Sequence, residues 1–368
     1  MTENFDNKIK QLKLENFTCF SKAEMDFSSG INVFIGENGT GKTHVLKILF
    51  SLLDSDVSPF PQSMKEEYEK LRVSINISAY FNANKSGIGI LDRKSAKKNE
   101  GFVITAHFDE NLEAKTFHWF RLDNDSDGIR FQSSKKISDT IIENKVLFIP
   151  THEMLSIYPG FISSYEKREN SFDRTYYHLA KRLSAKPLKG KSFEEANGLL
   201  KGFAESINVE IEEKNDQFYL KSKKDEIEIE APLAAEGIKK LAQMIYLIKN
   251  GNLTKDTILF WDEPEVNLNP RYIKLVVKFL QNLAKNGVQI FLATHDYLLA
   301  HLLSLDAEYR KQSQAPPIKF FAFYNGEDGT EIESAHTLAG IQNNAILDEY
   351  AAYYDQEQNF FRKSMQRV

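Results

Sequence analysis

"GENGTGKT", residues Gly36–Thr43, is the stretch on which the fold turns. It satisfies the phosphate-loop pattern G-x-x-x-x-G-K-[ST] at every position. Successive backbone amides can wrap one anion only where the chain bends through conformations in which a side chain would clash, which accounts for Gly36, Gly39 and Gly41. The context agrees. An apolar run, Ile31–Ile35, precedes the loop, and Val45, Leu46, Leu49, Leu52 and Leu53 follow at helical spacing. This predicts strand, loop and helix, with the positive N-terminal end of the helix aimed at the same anion. Lys42 is expected to reach the β- and γ-phosphates of ATP, and Thr43 to hold Mg²⁺ through its hydroxyl. Glu37, Asn38, Thr40 and the adjoining His44 complete the candidate nucleotide-binding set.

Downstream, "ILFWDEPE" ends an apolar strand in two carboxylates. Asp262 is placed to hold Mg²⁺ and Glu263 to orient the attacking water. Adjacent carboxylates at the end of a buried strand repel each other unless a cation or solvent relieves them, so a purely structural reading is weak. "FLATHDYLL" supplies another strand end, with Thr294, His295 and Asp296. His295 lies on the strand after Asp262, where its imidazole is expected to donate to the γ-phosphate. Lys42, Glu263 and His295 are therefore the candidate catalytic residues.

Composition sets the outer limits. The chain has 368 residues, 42% of them hydrophobic, enough for one large domain or two modest ones. Its net charge of −5 confines any nucleic-acid binding to a local patch. One cysteine, Cys19, permits neither an internal disulfide nor a cysteine-based metal site. "MTENFDNKIK" lacks a targeting pattern, and no apolar run has the length of a membrane span. The expectation is a cytoplasmic protein with no membrane contact.

Four segments are expected. Residues 1–60 carry the N-terminal part of an ATP-binding core, beginning with the half-buried strand "IKQLKLENF". Residues 61–144 read as a β-rich insertion: "RVSINISAYF", "GFVITAHF" and "KTFHWFRL" alternate as strands, with "DNDSDG" as a turn. Residues 145–230 open with the buried strand "KVLFIP" and continue as a helical, partly basic insertion ending in the hairpin "QFYLKSKKDEIEIE". Residues 231–368 alternate helix and strand: helix 237–249, strand 257–261, helix 270–286, strand 289–293, helix 297–304, strand 318–324 and a C-terminal helix. Such alternation argues for a mainly parallel sheet in an α/β fold.

In this order and spacing the chain resembles the ABC-type ATPases of the branch containing RecF, SMC and OLD-like proteins. It is most similar to compact OLD-like ATPases of bacterial antiviral defence modules such as Septu and PARIS, on "AEGIKKLAQ", "FWDEPEVNLNP", "GVQIFLATHD" and "NNAILDEY". The resemblance implies an ABC-type P-loop ATPase head with a β-rich lobe and an inserted helical lobe. It also implies Mg²⁺-dependent ATP hydrolysis between two paired heads, in a homodimer or higher oligomer. In those families a signature before the second strand opens a helix and contacts the γ-phosphate bound to the other subunit. Gly237 matches its glycine and Glu236 adjoins it. The usual signature serine is missing, because Ala234, Ala235 and Glu236 stand there. "EVNLNP" falls where these families link the two active sites. "IPTHE", with Thr151, His152 and Glu153, falls at the γ-phosphate-sensing loop but has no glutamine. OLD nucleases add a C-terminal Toprim domain that is not expected here, so a nuclease or toxin effector is expected on a separate chain.

Two surfaces stay open. Phe161–Lys191 holds eight basic residues against three acidic ones, which read either as a solvated helical face or as a contact for DNA or RNA. Ile346, Tyr350, Tyr353, Tyr354, Phe360 and Phe361 recur near helical spacing in the last helix. They are expected to pack against the core, or otherwise to form a docking face. Three functions compete: a defence-complex ATPase switch, a RecF-like repair ATPase that binds DNA directly, and a scaffold that binds ATP with little turnover.

Overall fold

The computed structural model describes residues 8–54, 65–82, 91, 101–108, 114–121, 127–133, 145–200, 202–309 and 315–365. The first part comprises β1 (Ile9–Phe17), β2 (Phe20–Asp26), β3 (Ile31–Gly36), α1 (Lys42–Leu53), α2 (Lys65–Tyr80), β4 (Val103–Phe108), β5 (Ala114–Arg121) and β6 (Asp127–Ser133). There follow β7 (Lys145–Ile149), α3 (Phe161–Glu166), α4 (Arg174–Leu183), α5 (Lys191–Leu200), α6 (Phe203–Ile207), β8 (Val209–Lys214), β9 (Gln217–Ser222) and β10 (Glu228–Glu230). The last part holds α7 (Glu236–Lys249), β11 (Thr257–Asp262), α8 (Pro270–Lys285), β12 (Gln289–Ala293), α9 (Tyr297–Tyr309), β13 (Ile318–Gly326), β14 (Gly329–Ala335) and α10 (Ala345–Met365).

Strands with no polar face build the central sheet. β3, β11 and β12 are buried along their whole length, as expected where both faces of a parallel sheet are covered. The order is β14-β13-β3-β12-β11-β7, with β14 the antiparallel edge strand. Alternate residues feed two cores. Val33, Leu259, Trp261 and Leu292 face α7, α8 and α9. Phe34, Phe260, Phe291 and Phe323 face α1 and the antiparallel sheet. The second core is phenylalanine-rich, with Phe34 edge-on to Phe321 at 5.5 Å and Phe260 stacked on Phe291 at 5.2 Å. Parallel register sets Asp262 beside Ala293, and Ala293 beside Phe34. The phosphate loop, the two carboxylates and Thr294 thus leave the sheet at one edge, where open α/β sheets bind ligands.

The antiparallel sheet has the order β2-β1-β4-β5-β6. Here one expectation is corrected: "RVSINISAYF" is not a strand, since Arg72–Tyr80 form the last turns of α2. Its Val-Ile alternation also satisfies a helix, because Val73, Asn76, Ile77 and Tyr80 fall at i, i+3, i+4 and i+7 and are all buried. Asn76 Nδ2 closes the end of α1 by donating to the carbonyls of Ser51 (3.0 Å) and Asp54 (2.8 Å). The strands expected at "GFVITAHF" and "KTFHWFRL" are present as β4 and β5, while most of "DNDSDG" lies outside the described residues. The expected hairpin is β9–β10, and β8 extends it into a three-stranded sheet. β8 and β14 were not anticipated, because both are edge strands with many charged residues.

The expectation that the last helix packs against the core is also corrected. α10 has no buried residue, and its aromatic side chains are exposed. Only its start is anchored: Ile346 packs on the core and Tyr350 stacks on Tyr297 at 4.5 Å. Among the described residues, no helix is long and apolar enough to cross a membrane.

Candidate nucleotide-binding site

Two of the glycines are forced by their surroundings. At Gly36 (φ +136°) an added Cβ would lie 2.1 Å from the Phe323 carbonyl oxygen. At Gly41 (φ +89°), the N-cap of α1, it would lie 2.5 Å from Cys19 Sγ and 2.6 Å from the Phe20 ring. Thr40 is buried, its hydroxyl donating to the Glu37 carbonyl at 2.8 Å. Glu37, Asn38 and Gly39 form the exposed crest of the loop. Lys42 Nζ donates to the carbonyls of Gly36 (2.8 Å) and Glu37 (2.6 Å), which holds the ammonium over the loop. Burial lowers its pKa against the pull of Asp262 and Glu263. A phosphate arriving there would restore the lost charge stabilisation. His44 departs from its expected role. Its ring lies edge-on to Phe81 at 5.4 Å, and burial, then Lys47, lowers its pKa to about 4. The neutral imidazole is turned to the interior.

β11 delivers Asp262 to α1. The Thr43 hydroxyl lies 3.1 Å from both Asp262 carboxylate oxygens. Burial raises the Asp262 pKa to about 6, opposed by the hydrogen bond from Thr43 and reinforced by Glu263. A hydroxyl and a buried, destabilised carboxylate at contact distance form a hard-oxygen donor pair that a divalent cation would relieve, so these residues fit Mg²⁺. Glu263 adopts the left-handed region (φ +48°), a conformation that costs energy in a non-glycine residue and must be held by its surroundings. Two bonds hold it: its amide donates to the Ala293 carbonyl at 2.9 Å, and its carbonyl accepts from Lys240 Nζ at 2.6 Å. In this pose Glu263 Oε1 lies 3.3 Å from His295 Nδ1. The structure therefore brings together Lys42, Thr43, Asp262, Glu263 and His295.

The loop after Glu263 adds a residue to which sequence reasoning gave no role. Glu265 is buried, and its Oε1 accepts from the Thr294 hydroxyl (2.7 Å) and the His295 amide (3.3 Å). It fixes the histidine backbone relative to the carboxylates. Lys240 was also missed. It sits on the same face of α7 as buried Met244 and Leu247, and a lysine among apolar i+4 and i+7 neighbours was the available signal. Burial lowers its pKa to about 8, against the attraction of Glu265, Glu263 and Asp262. The lysine therefore remains charged at neutral pH.

Gly237 lies on its own chain's linking loop, where an added Cβ would come 2.7 Å from the Asn267 carbonyl oxygen. Glu236 pairs with Lys239 at 2.5 Å, and the same ammonium binds Glu153 (3.1 Å) and Ser156 (2.7 Å). Glu153 thus faces the signature helix, whereas His152 is exposed and Thr151 half-buried.

Comparison with known proteins agrees with this geometry. Residues 31–300 match the family described as "AAA domain, putative AbiEii toxin, Type IV TA system". The chain belongs to this family. An "ATP/GTP phosphatase" of Helicobacter pylori (strain ATCC 700392 / 26695) is 20% identical, over 85% of this chain and 91% of that one. The "DNA replication and repair protein RecF" of Streptococcus uberis is 46% identical over 44 residues, only 12% of either chain. Among solved structures, an SMC head bound to the C-winged helix domain of ScpA has a TM-score of 0.54 at 13% identity. It covers 90% of this chain and 98% of that one, and shows the fold.

This member of the family is an ABC-type P-loop ATPase of the RecF/SMC/OLD type, with the corresponding head fold. Lys240 makes a specific demand of it. Lys240→Met keeps the apolar stem but removes the donor to the Glu263 carbonyl. ATP turnover should fall about tenfold, as for loss of about 1.4 kcal/mol of positioning. ATP affinity should hold, and steady-state phosphate release beside calorimetric titration will separate the two.

Proposed function

We propose that this protein is a Mg²⁺-dependent ATP-hydrolysing switch that works as paired heads in a bacterial antiviral defence complex, with the nuclease or toxin effector on a separate chain. The observation that carries the reading is the double tether of α7. Lys240 ties this helix to the carbonyl of the candidate base, and Lys239 ties it to Glu153 beyond β7. A change at the γ-phosphate is thereby passed to the helix that opens the signature, and to the lobe packed on it. Switching follows if the two nucleotide states differ in their contacts with the effector.

In this mechanism Lys42 binds the β- and γ-phosphates and Glu263 takes the proton of the attacking water. His295, beside Glu263 Oε1, donates to the γ-phosphate. Thr43 and Asp262 would hold Mg²⁺, which supplies neutralisation of phosphate charge when bound. The signature of a second copy, Gly237 and its helix N-terminus, completes each site.

The pairing test uses Ala235, the exposed N-cap of α7, because substitution at Gly237 would strike the chain's own loop. Ala235→Arg and Lys42→Ala should each abolish hydrolysis alone. Mixed, they should recover about a quarter to a half of wild-type turnover through one intact composite site per mixed pair. An Ala235→Arg protein that hydrolyses ATP normally as a monomer would sink the composite site. The effector reading is tested by incubating pure protein with ATP, Mg²⁺ or Mn²⁺, and DNA or tRNA. No cleavage is expected; cleavage that survives purification and persists in Lys42→Ala would refute it. Salt-sensitive DNA affinity, carried by exposed Lys167, Arg168, Lys181, Lys189 and Lys191, would favour direct repair binding instead.

A further inference from the structure

We propose that the free edge of β10, with the apolar cleft beneath it, docks an extended segment of a partner protein in which apolar and basic residues alternate. β10 ends its sheet, and among the described residues no strand lies beyond it. Its register sets Glu228, Ile229 and Glu230 opposite Lys221, Leu220 and Tyr219. The Ser222 amide donates to the Ile227 carbonyl at 2.9 Å, so residues 227 and 229 direct their backbone groups to β9. In an antiparallel ladder the residues between and beyond them turn theirs the other way. The N–H and C=O groups of Glu228 and Glu230 therefore face outward, as a strand added to the edge requires. Beneath the edge lies a cleft of about 310 Å³, walled by Leu220, Ile227 and Ile229 on the sheet and by Leu233, Ala235 and Ile238 at the start of α7. Leu233 is 75% exposed and Ile227 58%. Leu233 does not hang on a loose loop: it closes the 3₁₀ turn Ala231–Leu233, which the Ala234 amide fastens to the Ala231 carbonyl at 3.0 Å.

Charge selects the occupant. Side chains alternate across a strand, so Ile229 faces the cleft while Glu228 and Glu230 face the opposite side of the sheet. By the same alternation that side carries Glu210, Glu212, Glu228 and Glu230 against Lys214 and Lys221. Lys214 Nζ is shared between Glu228 (2.9 Å) and Glu212 (3.2 Å), and Glu230 has no ion pair among the described residues. A second copy brought edge to edge would set its own Glu228 and Glu230 against these acids, and like charges directly opposite destabilise a strand pair. A strand reading base, apolar, base satisfies both faces. Its bases meet Glu228 and Glu230, and the apolar residue between them enters the cleft beside Ile229. Acids on an edge strand are enough by themselves to keep it unpaired. That purpose does not require an open apolar cleft under the edge, and a polar-rimmed apolar surface of this kind marks a binding site.

Fluorescence anisotropy on the nucleotide-free full chain tests this with three labelled peptides. One is a heptapeptide alternating lysine and valine, with lysine at both ends. The second has glutamate in place of each lysine, and the third has the first one's composition in blocks, all lysines and then all valines. The alternating lysine peptide should bind at least ~10-fold more tightly than either of the others. Glu228→Lys with Glu230→Lys should reverse the preference in favour of the glutamate peptide. Leu233→Asp should weaken the lysine peptide at least ~10-fold with an unchanged melting curve, since the side chain it replaces is exposed. Equal binding of the alternating and block peptides would reduce the effect to bulk charge and overturn the proposal. So would failure of the lysine peptide to bind, or an unchanged preference or affinity in the variants. Wild-type self-association in sedimentation velocity that Leu233→Asp abolishes would assign the cleft to a second copy instead, and would equally overturn it. None of these measurements uses nucleotide, so failure here leaves the paired-head reading to its own test.

Discussion

Glu263→Gln should bind ATP with an affinity within about twofold of wild type and turn it over about 10²–10⁴-fold more slowly, the range for removal of a general base. The amide keeps the size of the side chain, and the backbone that aims it is held by bonds the substitution does not touch. These are the amide of residue 263 to Ala293 and the Lys240 ammonium to its carbonyl. The ground state therefore survives while the proton acceptor is lost. Lys42→Ala is the opposite control, because it removes the ammonium that lies over the loop and should abolish tight binding. Calorimetric titration and single-turnover phosphate release together decide the matter. Wild-type turnover by Glu263→Gln would remove Glu263 from the chemistry and favour an ATP-binding scaffold. Affinity lost in parallel with rate would make it a ligand holder instead.

The central sheet and the phosphate loop were legible because both are governed by local rules. A strand buried on both faces must be apolar throughout, and an anion-wrapping loop must contain glycine where the backbone turns back on itself. β3, β11 and β12 obey the first rule, and Gly36 and Gly41 take the positive φ that the second requires, although what crowds them, Phe323 at Gly36 and Cys19 with Phe20 at Gly41, comes from elsewhere in the chain. "RVSINISAYF" was misread because Val73, Ile75 and Ile77 satisfy a period of two while Val73, Ile77 and Tyr80 satisfy a helical one. The arbiter was Asn76, whose bonds to the end of α1 are invisible in sequence. Glu265 and Lys240 were missed for a related reason. Each works through a contact made across the fold, Glu265 to Thr294 and Lys240 to Glu263, and although both lie inside the quoted stretches "ILFWDEPE" and "AEGIKKLAQ", those motifs give neither residue a role. α10 was misjudged because helical spacing of aromatic residues reports an apolar face without reporting what covers it.

Asp262→Asn should abolish ATP turnover and at the same time stabilise the nucleotide-free protein at pH 8. In the folded chain the Asp262 pKa stands at about 6 against an ordinary 3.8, chiefly because the carboxylate is buried. The native state therefore binds a proton more readily than the unfolded chain. Linkage then requires that stability fall as pH rises through this window. Below about pH 4 the carboxyl is neutral in both states and the favourable contribution is complete. Between about 4 and 6 it is lost, and above 6 the ionised group costs the apo fold up to about 3 kcal/mol. Asparagine carries no such cost and its side-chain oxygen can still accept from the Thr43 hydroxyl. The variant should accordingly melt a few degrees above wild type at pH 8 and level with it at pH 4. Mg²⁺ with ATP should erase the difference by restoring wild type, since a cation neutralises the carboxylate that the fold leaves exposed to its neighbour. Thermal melts of both proteins at the two pH values, with and without Mg²⁺–ATP, give the answer. A variant less stable than wild type at pH 8 would mean that Asp262 serves the fold rather than the metal.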